Sequence, residues 1–400
     1  MGISKKLMTA GGGPKNYALI GKGLELDVTV PNQRYKRIEV LKVTPSGDVS
    51  LHQEYDTETD PSLSVARVSN KGAVRVSPDN QYVAVTSTED SLLNIAYDSF
   101  AGKLSPAGAI YLISANGQKN DGLDLTWHPD SQEVVIARND PNINSNSNEA
   151  FTRYTAGPLG PSRMGRYNDS SNIGNEGLAV DYIPNVDPVD GGGHRLAMWG
   201  DGFPYSAISV SLGKSNSIDL AGTDSDVGAP LPENSMVRWS PYAKSSSSGV
   251  DAIAMYHQGN TWSHRHVTGP GNWYQKINQT IQQTDGRFAW IPHPDSNSRD
   301  CHLISLHNRR ISVLRNQAFV GTDMVGGIDD PGNLWYVPED VAVSHDGMVG
   351  ACTFKTPDNK RVLVIVDLST QGEVSVLSQT ITGATSTDCR MEFAKDFIGT

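Results

Sequence analysis

One short element recurs seven times along this chain, at intervals of 51, 55, 57, 51, 53 and 50 residues. Each copy is a small strand with a large apolar residue, a turn of Ser/His-Pro-Asp type, and a second, more apolar strand. A repeat of this length restricts the chain to architectures built from like units, each burying its apolar faces against its neighbours. The clearest copies are VRVSPDNQYVAVTS from Val74 and LTWHPDSQEVVIAR from Leu125. Looser copies start at Val180, Val237, Ala289 and Val341, the last with His345 in place of Pro, and one from Met391 runs into the carboxyl terminus. The anchor residues are Val76, Trp127, Tyr182, Trp239, Trp290, Val343 and Phe393.

About four strands of ordinary length fit into each period. The last complete period places them at 340–344, 348–354, 361–368 and 374–381. Four strands per unit make one propeller blade, so the expected fold is all-β, a seven-bladed β-propeller. In the turn, Pro sets φ and Asp bonds its own backbone. The repeated Asp is therefore read as turn chemistry, not as a metal or catalytic set. The seventh anchor leaves too little chain for a blade, while strand-like runs at 17–20, 24–30, 38–43 and 49–55 precede the first anchor. One blade is expected to be shared between the two termini, 391–395 pairing beside the amino-terminal strands, which removes exposed sheet edges. The division expected is an arm over residues 1–16 and the propeller over 17–400.

Composition agrees with many short strands and many turns: Gly 39, Pro 22 and only 19% charged residues among 400. A net charge of -11 with no basic run is a poor match to a phosphate backbone, so no nucleic acid is expected as a partner. Three scattered cysteines, Cys301, Cys352 and Cys389, form neither a disulfide framework nor a zinc pattern and suit a reducing compartment. No apolar run is long enough to span a bilayer, and the amino terminus has no signal-peptide core. Synthesis and folding in the cytoplasm, without membrane insertion, are expected.

Local catalytic motifs are missing: no G-x-S-x-G, no H-E-x-x-H, no P-loop. Gly11–Gly13 and Gly191–Gly193 read as turns or linkers. His264 and His266, with His257 and Trp262 nearby, alternate as half of a metal site would, but spacing offers no third ligand. They are read as polar surface. The Asn/Asp-rich run 139–148 reads as a solvated loop rather than a calcium site. Trp262, Trp273 and Tyr274 read as packing residues, with a carbohydrate or protein contact as the alternative. No catalytic residue, cofactor or metal is expected.

Two resemblances add to this reading. The segment SPDNQYVAV resembles the repeat of WD-like propellers, although the chain has no Trp-Asp dipeptide and a Gly-His pair only at Gly193-His194. The first 13 residues, MGISKKLMTAGGG, resemble the start of structural proteins of tailed bacteriophages. That likeness implies a non-enzymatic, tail-associated virion component within a larger homo- or hetero-oligomer. Ile3, Leu7 and Met8 would form a small apolar stripe flanked by Lys5 and Lys6, docking on other virion structural proteins. The alternatives are a lactonase- or glycosidase-like enzyme using channel-lining residues, and a bacterial scaffold propeller.

Overall fold

The computed structural model describes residues 15–24, 26, 37–57, 72–87, 91–113, 121–139, 151–167, 177–186, 194–200, 206–212, 218–223, 236–246, 249–258, 261–267, 273–280, 287–297, 300–307, 309–317, 321–384 and 388–398. Among them the chain is all-β apart from a 3-10 turn at Gly157–Leu159. The strands form seven sheets, six of four strands each, and nearly every pairing is antiparallel. This is a propeller-type assembly. The last complete repeat comprises Val337–Val343, Val349–Lys355, Lys360–Asp367 and Ser375–Ala384, paired in sequence order.

The turn chemistry explains why each repeat folds back on itself. In the first copy Ser77 accepts from the Asn80 amide, and the Asp79 carboxylate takes the Ser77 hydroxyl and the Gln81 amide. Asn80 then adopts a left-handed conformation, φ 61°, as do Ser131 at 64° and Gly347 at 71° in later copies. Asp346 repeats the role of Asp79, accepting from Ser344 and from the Met348 amide. A three-residue turn followed by one left-handed residue joins adjacent antiparallel strands at minimal length.

Sheets pack face to face, and the core lies in the seams between them. In the Asn16–Lys22 strand, Ala18 and Ile20 pack on Val74, Val76, Val83 and Val85, while Tyr17 and Leu19 pack the opposite way on Ala351, Leu363 and Ile365. Strands covered on both sides are apolar at every position, which is why the second strand of each repeat reads 83–85 as Val-Ala-Val and 134–137 as Val-Val-Ile-Ala. Each fully buried Leu, Ile or Val is worth about 1.5–3 kcal/mol of transfer free energy. A further seam joins Ile304 and Val313 to Cys352 and Val364, and all three cysteines are free and buried.

The Arg390–Ile398 strand pairs with Asn16–Lys22, setting Phe393 opposite Leu19 and Met391 opposite Gly21. That sheet continues through Arg37–Val43 to Val49–Asp56. Three of the expected amino-terminal runs are therefore strands; the fourth, 24–30, lies mostly outside the described residues.

Candidate functional site

Each anchor residue lies on one strand at the edge of its sheet or beside it, and side chains alternate along a strand. Positions one and three before each anchor therefore share the face opposite to it. At three before, the chain has Ala73, Asp124, Ala179, Met236, Arg287, Asp340 and Arg390; at one before, Arg75, Thr126, Asp181, Arg238, Ala289, Ala342 and Glu392. The charged members of these two rows line two cavities between the sheets. Arg75, Asp124, Arg238, Arg287, Asp340 and Arg390 line a cavity of about 200 Å³ where the anchor strands begin. Asp181 and Glu392 line a second cavity, of about 270 Å³, where they end.

Ties between neighbouring anchor strands hold these groups in place. Asp124 accepts from the Val180 amide at 3.2 Å, Asp181 from the Trp239 amide at 2.7 Å, and Asp340 from the Met391 amide at 2.8 Å. Glu392 accepts from the Val76 amide, and the Thr126 hydroxyl from the Tyr182 amide. The anchor indoles add a second key. Trp127, Trp239 and Trp290 donate to the carbonyls of Arg75, Asp181 and Arg238, respectively, at 2.9–3.1 Å. The residue types at the anchors thus reflect joints between sheets as well as packing.

In the upper cavity the charges are unequally matched. Arg238 reaches past the intervening sheet to grip Asp124 with both terminal nitrogens, at 2.8 and 3.0 Å. Arg75 lies 3.5 Å from the same carboxylate. Arg287 has only a loose approach to Asp340, at 4.0 Å. Arg390 is held by the carbonyls of Gly72, Glu339 and Cys389 rather than by a carboxylate. With Glu392, which also lines this cavity, four guanidinium groups face three carboxylates, an excess of one positive charge.

The titration behaviour follows from this geometry. Burial, and then the charge of Arg390, lowers Arg287 to about 10. Burial raises Asp124 against the pull of Arg75 and the Val180 amide. In the lower cavity burial raises Asp181 to about 7 against the Trp239 amide, and raises Glu392 against Arg75. Nearby Lys22, 2% exposed, is brought down to about 7 by burial and then by Arg390. Anion-binding cations and a carboxylate within one small cavity can polarise a carbonyl and activate a water.

Of the residues singled out from the sequence, Ile3, Lys5, Lys6, Leu7 and Met8 lie outside the described residues, as do Gly11–Gly13, Gly191–Gly193 and 140–148. His264 and His266 sit on the Thr261–Val267 strand, opposite Ile277 and Tyr274, and the register shift there skips Gln275 on the Trp273–Thr280 strand. Trp262, Trp273 and Tyr274 are strand residues in the same sheet. The repeated turn aspartates do serve the turns. The cavity-lining arginines and carboxylates escaped the motif search because, Arg390 and Glu392 apart, each comes from a different repeat, about fifty residues from the next. Reading the residue one before each anchor down the seven copies would have found half of them.

No family model matches the sequence, and neither does any curated protein. Among solved structures the chain is similar to the periplasmic gluconolactonase PpgL of Pseudomonas aeruginosa, with 12% identity, a TM-score of 0.58, and 94% of this chain and 99% of that one covered. A Bacteroides uniformis protein, provisionally assigned as a 6-phosphogluconolactonase, gives 12% identity, a TM-score of 0.58 and coverage of 94% and 99%. A Lactobacillus plantarum protein gives 9%, 0.59, 94% and 99%. At such identities the likeness is one of fold. It nevertheless overturns the expectation of a non-enzymatic chain, since that rested on missing local motifs and this architecture is shared with proteins named as lactonases. The virion reading, built on the first 13 residues, draws no support from these neighbours.

Proposed function

We propose that the chain is a propeller hydrolase that opens a small anionic cyclic ester, a sugar-acid lactone, in the upper channel cavity. In this reading the seven sheets are seven blades, and the sheet made from both termini closes the ring. The observation that carries the proposal is the pair Arg287 and Arg390: two buried guanidinium groups with no carboxylate closer than 4.0 Å among the described residues, beside Asp340. The names of the fold neighbours give the ester its class.

Asp340 is the general base of the reading. Its Oδ2 is fixed by the Met391 amide, and its Oδ1 lies 4.0 Å from the Arg287 Nε. Water attacks the lactone carbonyl and gives its proton to Asp340. Arg287 stabilises the oxyanion, the ring C–O bond breaks, and the leaving oxygen takes the proton back to yield a hydroxy acid. Arg390 holds the anionic substituent of the substrate.

The test is hydrolysis of gluconolactone, with and without a 6-phosphate, followed by pH-stat above the spontaneous rate. A saturable rate is expected, reduced about 10²–10⁴-fold in Asp340→Asn. Arg287→Ala should lower kcat, and Arg390→Ala should mainly raise KM for the charged substrate. A rate no greater than buffer alone removes the proposal.

A further inference from the structure

The lower cavity shares Glu392, Trp239 and Trp290 with the upper one but contains none of its arginines. Its volume is about 270 Å³, and Tyr182, Trp239, Trp290 and Phe393 line it together with Asp181 and Glu392. Asp181 is fixed by the Trp239 amide at 2.7 Å and the Thr126 hydroxyl at 3.2 Å, and Glu392 by the Val76 amide. Among the described residues neither carboxylate has a cation within ion-pair distance. Lys395, on the same wall, has its Nζ on the Pro78 carbonyl. The site thus holds two fixed carboxylates among aromatic side chains, with Arg75 acting on both from beyond ion-pair distance, an environment in which a cation is favoured by both charge and ring quadrupole.

We infer that this cavity binds an organic monocation, a guanidinium or alkylammonium group on an apolar stem. Its stem packs on the indoles of Trp239 and Trp290, and its charged head meets Asp181 and Glu392. A hydrated inorganic cation would leave the aromatic surfaces unused, and an anion would face two carboxylates. Burial disfavours the charged form of both acids, and an entering cation offsets that cost. The same head group can come from a free small amine or from an Arg or Lys side chain of a partner chain. The inference does not rest on lactone hydrolysis, although Glu392 lines the upper cavity as well.

Calorimetric titration of the full chain separates the possibilities. Ethylguanidinium is compared with its neutral isostere ethylurea, and acetyl-Gly-Arg-Gly-amide with its citrulline counterpart. The cationic member of at least one pair should bind about tenfold or more tightly than the neutral one, in line with a charge-assisted hydrogen bond. Binding of ethylguanidinium assigns the site to small molecules, and binding of the peptide alone assigns it to a partner's side chain. Asp181→Asn, which keeps an acceptor for the Trp239 amide, should weaken the cation by about tenfold. Glu392→Gln gives a second variant should the first fold poorly. Equal affinity for charged and neutral members, or no cation binding up to about 10 mM, a free energy under about 3 kcal/mol, overturns the inference.

Discussion

Asp181 holds its carboxylate where water is scarce and, among the described residues, no cation stands within ion-pair reach, and burial raises it to about 7 from an ordinary 3.8. A carboxyl whose folded pKa lies above its unfolded one favours the native state below the unfolded value and loses that contribution as pH rises through the folded one. This residue therefore costs stability progressively between about pH 4 and 7, and the full cost stands at pH 8. Asp181→Asn should melt a few degrees above the parent at pH 8 and show no gain at pH 4. Thermal denaturation at the two pH values checks this, and a pH-independent difference would contradict it. The neighbouring rows show how much of the site could be read from residues alone. Arg75, Asp181, Arg238 and Glu392 stand at one fixed offset from their anchors, so their common face was visible once the repeat was aligned. Pairing was not: the contact of Arg238 with Asp124 depends on a side chain crossing an intervening sheet, and no spacing encodes that.

The strand–turn–strand unit was the most readable level, because its signals are local. Pro-Asp set the turns, continuous apolar runs marked strands buried on both faces, and three of the strand-like amino-terminal runs are the strands at 16–22, 37–43 and 49–56. Polar stretches such as 139–148 carry no comparable constraint. The joints between units were harder, since the indole-to-carbonyl keys look like ordinary core aromatics in sequence. One turn shows how tightly the units abut. Gly347 has φ +71°, and a Cβ there would lie 1.7 Å from the Pro292 carbonyl oxygen of the preceding sheet. Gly347→Ala combines left-handed strain with a backbone clash and should destabilise by about 3 kcal/mol. Chemical denaturation measures it, and a midpoint equal to the parent's would mean the two sheets are not in contact at this point.

At the level of the molecule, the carboxyl-terminal strand joins the two ends of the chain. Met391 and Phe393 are 3% and 4% exposed and pack in the seam with Leu19, Ala351 and Leu363, while Ala394 and Ile398 pack on the opposite side. Deleting residues 391–400 removes apolar side chains from two seams and bares the edge of the Asn16–Lys22 strand. The truncated chain should melt well below the parent and aggregate, read by light scattering during a thermal ramp. An unchanged melt would argue against a ring closed at this sheet.

The joints between the sheets are also unequal. Most are fastened at the anchor strands by short amide-to-carboxylate or indole-to-carbonyl bonds. Between Phe288–Ile291 and Val337–Val343 the anchor-strand tie is the 4.0 Å approach of Arg287 to Asp340, and the close fit is at the far end, where Gly347 abuts Pro292. The slackest joint is thus the one flanked by the guanidinium groups of Arg287 and Arg390. An anion lodged between them would act as a rivet, because parting the strands would first require expelling it. Occupancy and stiffness then become a single quantity, and the ligand-free molecule is the looser of the two.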